Sequence, residues 1–174
     1  MTRSFAVCSL VTLVGCSSGY SSGVDGNTPY SAVTAEEAIL ACENLDAYLQ
    51  DTIGGDNQLR VNCYVEALSS TIDEVACQAA FDSCLITGPD DPTFELARLN
   101  CSNPGVDPTC NADIGDVEVC ITDQVLRIED RFVTLDCTIA GDLSALQAAQ
   151  EPLGTAASCT ALGSTCPNFS DGPF

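Results

Sequence analysis

The chain has no histidine, no lysine and no tryptophan, and its five arginines stand against 25 aspartates and glutamates. Each absence closes a class of function. Histidine is the commonest general base, the commonest metal ligand and the side chain that titrates near neutrality. Ser-His and Cys-His catalysis therefore cannot be assembled from this chain. At a net charge of −20 the surface repels phosphate backbones, which argues against nucleic acid as a partner. No C-x-x-C spacing occurs among the 12 cysteines, and without histidine a zinc site or other metal centre is not expected. The apolar run from Phe5 to Val14 is broken by Ser9 and Thr12 and falls far short of the ~20 residues of a spanning helix. Two G-x-S-x-G matches, at residues 15–19 and 19–23, lack the strand before and helix after that a hydrolase elbow requires. No catalytic residue and no cofactor is expected, and enzyme is the class least favoured.

What is present begins with a short leader. Arg3 supplies a positive head and Phe5 to Val14 a short apolar core, the two parts of an export signal. Leu13-Val14-Gly15-Cys16 then resembles the lipobox of bacterial lipoproteins: a branched apolar residue, a small or apolar residue, a small residue, cysteine. The resemblance covers residues 1–16. It implies that residues 1–15 are removed after Gly15, that Cys16 becomes the first residue and carries a diacylglyceryl group, and that acyl chains hold the protein at the membrane. It also implies a location in the bacterial cell envelope, facing the periplasm or the outer surface. Losing Arg3 with the leader takes the net charge from −20 to −21, so lipid and not charge must provide the attachment. Residues 16–32 contain the run SSGYSSGVDGNTPYSA, whose Ser and Gly content predicts a flexible tether of roughly 20 Å root-mean-square reach.

Residues 33–174 form the acidic domain. Cys8 goes with the leader and Cys16 to lipid, leaving Cys42, Cys63, Cys77, Cys84, Cys101, Cys110, Cys120, Cys137, Cys159 and Cys166. An even number in an exported chain reads as disulfides. Cys42, Cys63, Cys77 and Cys84 are separated by 20, 13 and 6 residues, and Cys120, Cys137, Cys159 and Cys166 by 16, 21 and 6. Both sets close on C-x6-C, which suggests a duplication of 34–100 in 111–170, although the middle gaps differ.

The pattern predicts an all-α, disulfide-stapled bundle. Thr34-Ala35-Glu36-Glu37 is a capping box before a helix that Gly54-Gly55 ends. A second helix is expected over 58–68, and a third from the box Thr71-Ile72-Asp73-Glu74 to Gly88-Pro89. Asp91-Pro92 has the chemistry to start a short helix reaching Leu99. Val117, Ile121, Val125, Ile128, Phe132 and Leu135 recur every three or four residues, favouring helix over the alternative of a strand from Val117 to Val133. Further helices are expected over 143–150 and 155–162. Stacking the first three helices antiparallel at ~1.5 Å per residue puts Cys42 nearest in height to Cys77 and lets Cys63 meet Cys84, both offset by roughly 6–8 Å. Cys63 with Cys77 fits better alone but strands Cys42 roughly 16 Å from Cys84, beyond disulfide reach. By repetition Cys120 meets Cys159 and Cys137 meets Cys166, leaving Cys101 with Cys110.

Candidate sites are few. Asp107, Asn111, Asp113 and Glu118 fall at places 1, 5, 7 and 12 of an EF-hand-like loop, but Ala112 occupies the glycine place and Thr109 the third. A helix start with favourable acids explains the same residues. Asp90-Asp91 and Glu129-Asp130 read as solvated faces, and Tyr20, Tyr30, Tyr48 and Tyr64 form no evident stacking platform. The expectation is a membrane-anchored envelope protein with a binding or structural role. Two alternatives are a carrier of a small apolar molecule and an inhibitor or partner of a basic exported protein.

Overall fold

Thr34 caps the first helix, α1 (Ala35–Thr52), in both directions. Glu37 N–H donates to Thr34 Oγ1 at 3.3 Å, and Glu37 Oε2 accepts from Thr34 N–H at 2.9 Å. In the computed structural model, which describes residues 19–167 apart from Thr93, every regular element is a helix, with no strand among the described residues. At the end of α1, Ile53 and Gly54 both donate to the Leu49 carbonyl at 3.0 Å. Helix α2 (Gly55–Ser70) starts at once. A Cβ at Gly54 would lie 2.7 Å from Gln50 O, and Gly55 sits at φ +52°, so the corner demands both glycines.

Helix α3 (Glu74–Thr87) opens on Asp73, whose carboxylate accepts from Ala76 N–H at 2.9 Å. The box expected at Thr71 does not form, because the Thr71 hydroxyl closes α2 instead, donating to Ala67 O at 2.7 Å. Helix α4 (Ile114–Val133) carries the expected periodicity, with Val117, Ile121 and Val125 all buried, so strand pairing is not used there. A 3₁₀ turn (Cys137–Ile139), α5 (Leu143–Gln150) and α6 (Ala157–Thr165) complete the order.

Two expectations fail for tertiary reasons. The stretch from Asp91 to Leu99, expected as a short helix, is irregular at its described positions. Its backbone is held by side chains of α1 and α2: Phe94 N–H donates to Asn62 Oδ1 at 2.7 Å, Asn62 Nδ2 and Gln58 Nε2 donate to Phe94 O, and Asp46 accepts from Leu99 N–H. Partners reached across the fold outweigh a local helix start. The tether, expected to be free, is a packed strap from Gly19 onward. Tyr20 and Ser22 are buried. Tyr20 N–H donates to Thr122 Oγ1 at 2.9 Å and its hydroxyl to Ala41 O at 2.7 Å. Further along, Tyr30 N–H bonds Ala112 O while Ile114 and Gly115 N–H bond Thr28 O and Gly26 O. A Ser/Gly-rich composition predicts disorder only where it buries nothing, and one tyrosine seated between α1 and α4 changes that balance.

The core has two lobes. One gathers Tyr20, Leu49 of α1 and its C-cap Ile53, the buried face of α4 and Leu162 of α6. The other gathers Val61 and Leu68 of α2, Phe81 of α3 and Leu135. Phe132 packs against both and meets Phe94 edge-on, ring centroids 5.3 Å apart.

All ten candidate cysteines pair. Cys63–Cys84 and Cys120–Cys159 join as expected, whereas Cys42 joins Cys101, Cys77 joins Cys137 and Cys110 joins Cys166. The expected Cys42–Cys77 pairing rests on α1 lying beside α3, Cys137–Cys166 on a repeat of that geometry, and Cys101–Cys110 on what the two leave over. Instead α1 buries Leu49 and Ile53 in the α4 lobe, which turns Cys42 toward the returning segment at Cys101. The two C-x6-C motifs are also used differently. Cys84 closes the α2–α3 hairpin while Cys77 reaches the 3₁₀ turn, but Cys159 and Cys166 both stay in the α4–α6 lobe. The bridges are thus not repeated between 34–100 and 111–170.

Candidate functional site

A cleft of about 370 Å³ opens between α2 and the C-terminal end of α4. From α2 come Asn57, Arg60, Val61 and Tyr64, one helical face at spacings of three and four. From α4 come Glu129, Phe132 and Val133, and Leu135 and Asp136 follow them. Val61, Phe132 and Leu135 give the cleft apolar walls continuous with the core.

Its charged groups differ in what they are bound to. Tyr64 stacks on Phe81, ring centroids 3.9 Å apart and planes 11° from parallel, and the Arg60 guanidinium lies 5.9 and 5.5 Å from those two centroids. This cation–π seat holds Arg60 without a carboxylate. Among the described residues the one ion pair is Arg98–Asp46, at 2.6 Å. Asp136 is occupied, its Oδ1 accepting from the N–H and hydroxyl of Thr138 to cap the 3₁₀ turn. Glu129 is half-buried, and burial first, then the charge of Asp130, pushes its carboxyl above the usual carboxylate range. The sequence alone reads Glu129-Asp130 as a solvated face and shows no stacking platform at Tyr64. The helical spacing of Asn57, Arg60 and Tyr64 was the available signal, but it does not say that α4 closes the other side.

The EF-hand-like residues take up structural work. Asp107 accepts from Thr109, Asp113 is the N-cap of α4, and the Glu118 carboxylate accepts from the N–H and hydroxyl of Ser22 at 2.6 and 2.7 Å. Among the described residues no three His, Cys, Asp or Glu side chains are grouped so as to hold a metal. Asp90 and Asp91 are at the surface, Asp90 N–H donating to Glu66. Tyr20 and Tyr48 lie together in the strap lobe, centroids 5.8 Å apart. A second opening, about 160 Å³ and mostly apolar, lies between the strap, α1 and α4. Cys16 and Gly15, expected from the sequence as the lipidation and cleavage residues, lie outside the described residues. No helix among those described is long and apolar enough to cross a membrane. Comparison with protein families, with characterised proteins and with solved structures yields no match.

Proposed function

We propose that this chain is an exported, lipid-anchored protein of the bacterial cell envelope that acts by binding and not by catalysis. The observation that carries the reading is the cysteine usage. All ten cysteines after the lipobox are consumed in pairs with one another, which suits an oxidising compartment and leaves Cys16 free for lipid. The strap adds a geometric consequence. Only Ser17 and Ser18 lie between Cys16 and the packed Gly19, and three residues reach at most about 10 Å. The domain is then held against the bilayer, not floated off it. Binding is favoured over catalysis because, of the two carboxylates in the α2–α4 cleft, Asp136 is committed to a cap.

The apolar-carrier alternative has less behind it, since the mostly apolar opening of about 160 Å³ is below the ~300–1,000 Å³ of ordinary ligand pockets. A basic exported partner is favoured by the net charge of −21 after loss of the leader. The test is detergent phase separation with labelled palmitate in a bacterial host. The wild type is expected to incorporate label and enter the detergent phase, and Cys16→Ala to do neither. Identical behaviour of the two would sink the anchor.

A further inference from the structure

We infer that the α2–α4 cleft is a binding site for a small zwitterion with an apolar body, of the amino-acid or short-peptide class. Its size, about 370 Å³, falls within the range of small-molecule sites. Arg60 and Glu129 line it with opposite charges, yet no ion pair joins them, and neither makes a hydrogen bond to another described group. Val61, Phe132 and Tyr64 line the same cleft. A carboxylate at Arg60 and an ammonium at Glu129 give each protein charge the partner that the fold withholds, while an apolar body covers the walls.

Simpler ligands fit less well. A plain anion meets one arginine inside a molecule of net charge −20, whose field rejects it. A metal ion lacks a ligand set among the described residues. A hydrocarbon would bury two charges and satisfy neither. A zwitterion carries no net charge, so the overall field does not oppose its entry. The site depends on the folded domain alone, so its failure leaves the anchoring proposal to the palmitate test.

The experiment is a titration of the oxidised, detergent-solubilised full chain, followed by backbone amide shifts and by calorimetry. The probes are the dipeptide Leu-Phe, its N-acetyl form, its C-terminal amide, and free phenylalanine. Saturable binding of Leu-Phe is expected, with shifts in α2 and at the end of α4. Acetylation and amidation should each weaken it about tenfold, as loss of a charged hydrogen bond does. Arg60→Gln should weaken Leu-Phe and abolish its advantage over the amide, and Glu129→Gln should abolish its advantage over the N-acetyl form. Phenylalanine binding as well as Leu-Phe points to a free amino acid, and weaker binding points to a peptide. Arg60→Gln gives up the cation–π contact with Tyr64 and Phe81, so a small fall in its melting temperature is expected, and little change is expected for Glu129→Gln. Both variants are to be titrated well below their melting temperatures. Absence of saturable binding, shifts confined to another surface, or equal affinity for all forms in wild type and variants overturns the assignment.

Discussion

Asn62 is 3% exposed and does for the irregular segment at Phe94 what a neighbouring strand does in a sheet. Its carboxamide accepts from Phe94 N–H at 2.7 Å and donates to Phe94 O at 2.8 Å. Alanine at this position removes both bonds, but the two Phe94 groups are left differently. The carbonyl keeps Gln58 Nε2 at 2.9 Å, whereas no substitute reaches the N–H. A partly buried donor without a partner costs ~1–3 kcal/mol. Asn62→Ala is therefore expected to lower stability by about 2 kcal/mol in urea unfolding of the oxidised protein, and Gln58→Ala by less than half of that. Equal losses, or a larger one at Gln58, would show that the Phe94 N–H is not what Asn62 serves. The sequence conceals this role. Asparagine inside α2 looks like a poor helix former, and its partner is 32 residues away, next to an Asp-Pro pair whose local chemistry suggests another helix.

At the scale of elements, helix starts are legible wherever the capping side chain is a neighbour in sequence. Thr34 with Glu37 shows this, and so does the apolar period of α4. Contacts between elements are not legible in that way, and the strap is the clearest case. Tyr20 anchors it through its hydroxyl bond to Ala41 O. Burial, followed by the nearby Glu118 carboxylate and Tyr30, raises the Tyr20 hydroxyl well above the ordinary tyrosine range. In the unfolded chain that hydroxyl ionises near pH ~10, while in the folded protein it stays protonated. Its contribution is thus complete below pH ~10 and is lost as pH rises beyond it, because ionisation favours the unfolded chain. Tyr20→Phe is expected to cost about 1 kcal/mol at pH 7 and to soften the alkaline fall in melting temperature. Tyr30 and Tyr48, also raised by burial, keep a residual slope. The check is the melting temperature from neutral to strongly alkaline pH for both proteins. An unchanged alkaline slope in the variant would move the titration away from the strap.

For the whole molecule, five bridges and a helical fold follow from composition and periodicity, but the pairing waits on which helices touch. Only the decision of α1 to pack on α4 sends Cys42 to Cys101, and only the meeting of α2 with the end of α4 makes a cleft of Arg60 and Glu129. The observed pairing also ranks the bridges. Cys77–Cys137 and Cys63–Cys84 are buried in the same lobe, so removing either leaves comparable packing defects. They differ in the chain they close, with sequence separations of 60 and 21. In the chain-entropy account a cross-link acts by restricting the unfolded ensemble, more so for a longer loop, which gives about 4 kcal/mol for the longer and about 3 for the shorter. Because Cys77–Cys137 also ties α3 to the turn after α4, its loss frees the α2–α3 hairpin from the end of α4 that walls the cleft. The double variant Cys77→Ala/Cys137→Ala is accordingly expected to be about 1 kcal/mol less stable than Cys63→Ala/Cys84→Ala. It should also exchange its α3 amides faster while keeping the exchange rates of α6, which the Cys120–Cys159 and Cys110–Cys166 bridges hold to the other lobe. Denaturant unfolding and hydrogen exchange on the two variants decide the matter. A reversed order of stability would mean that the hairpin bridge acts on the folded state, and that constraint of the unfolded chain is the smaller effect.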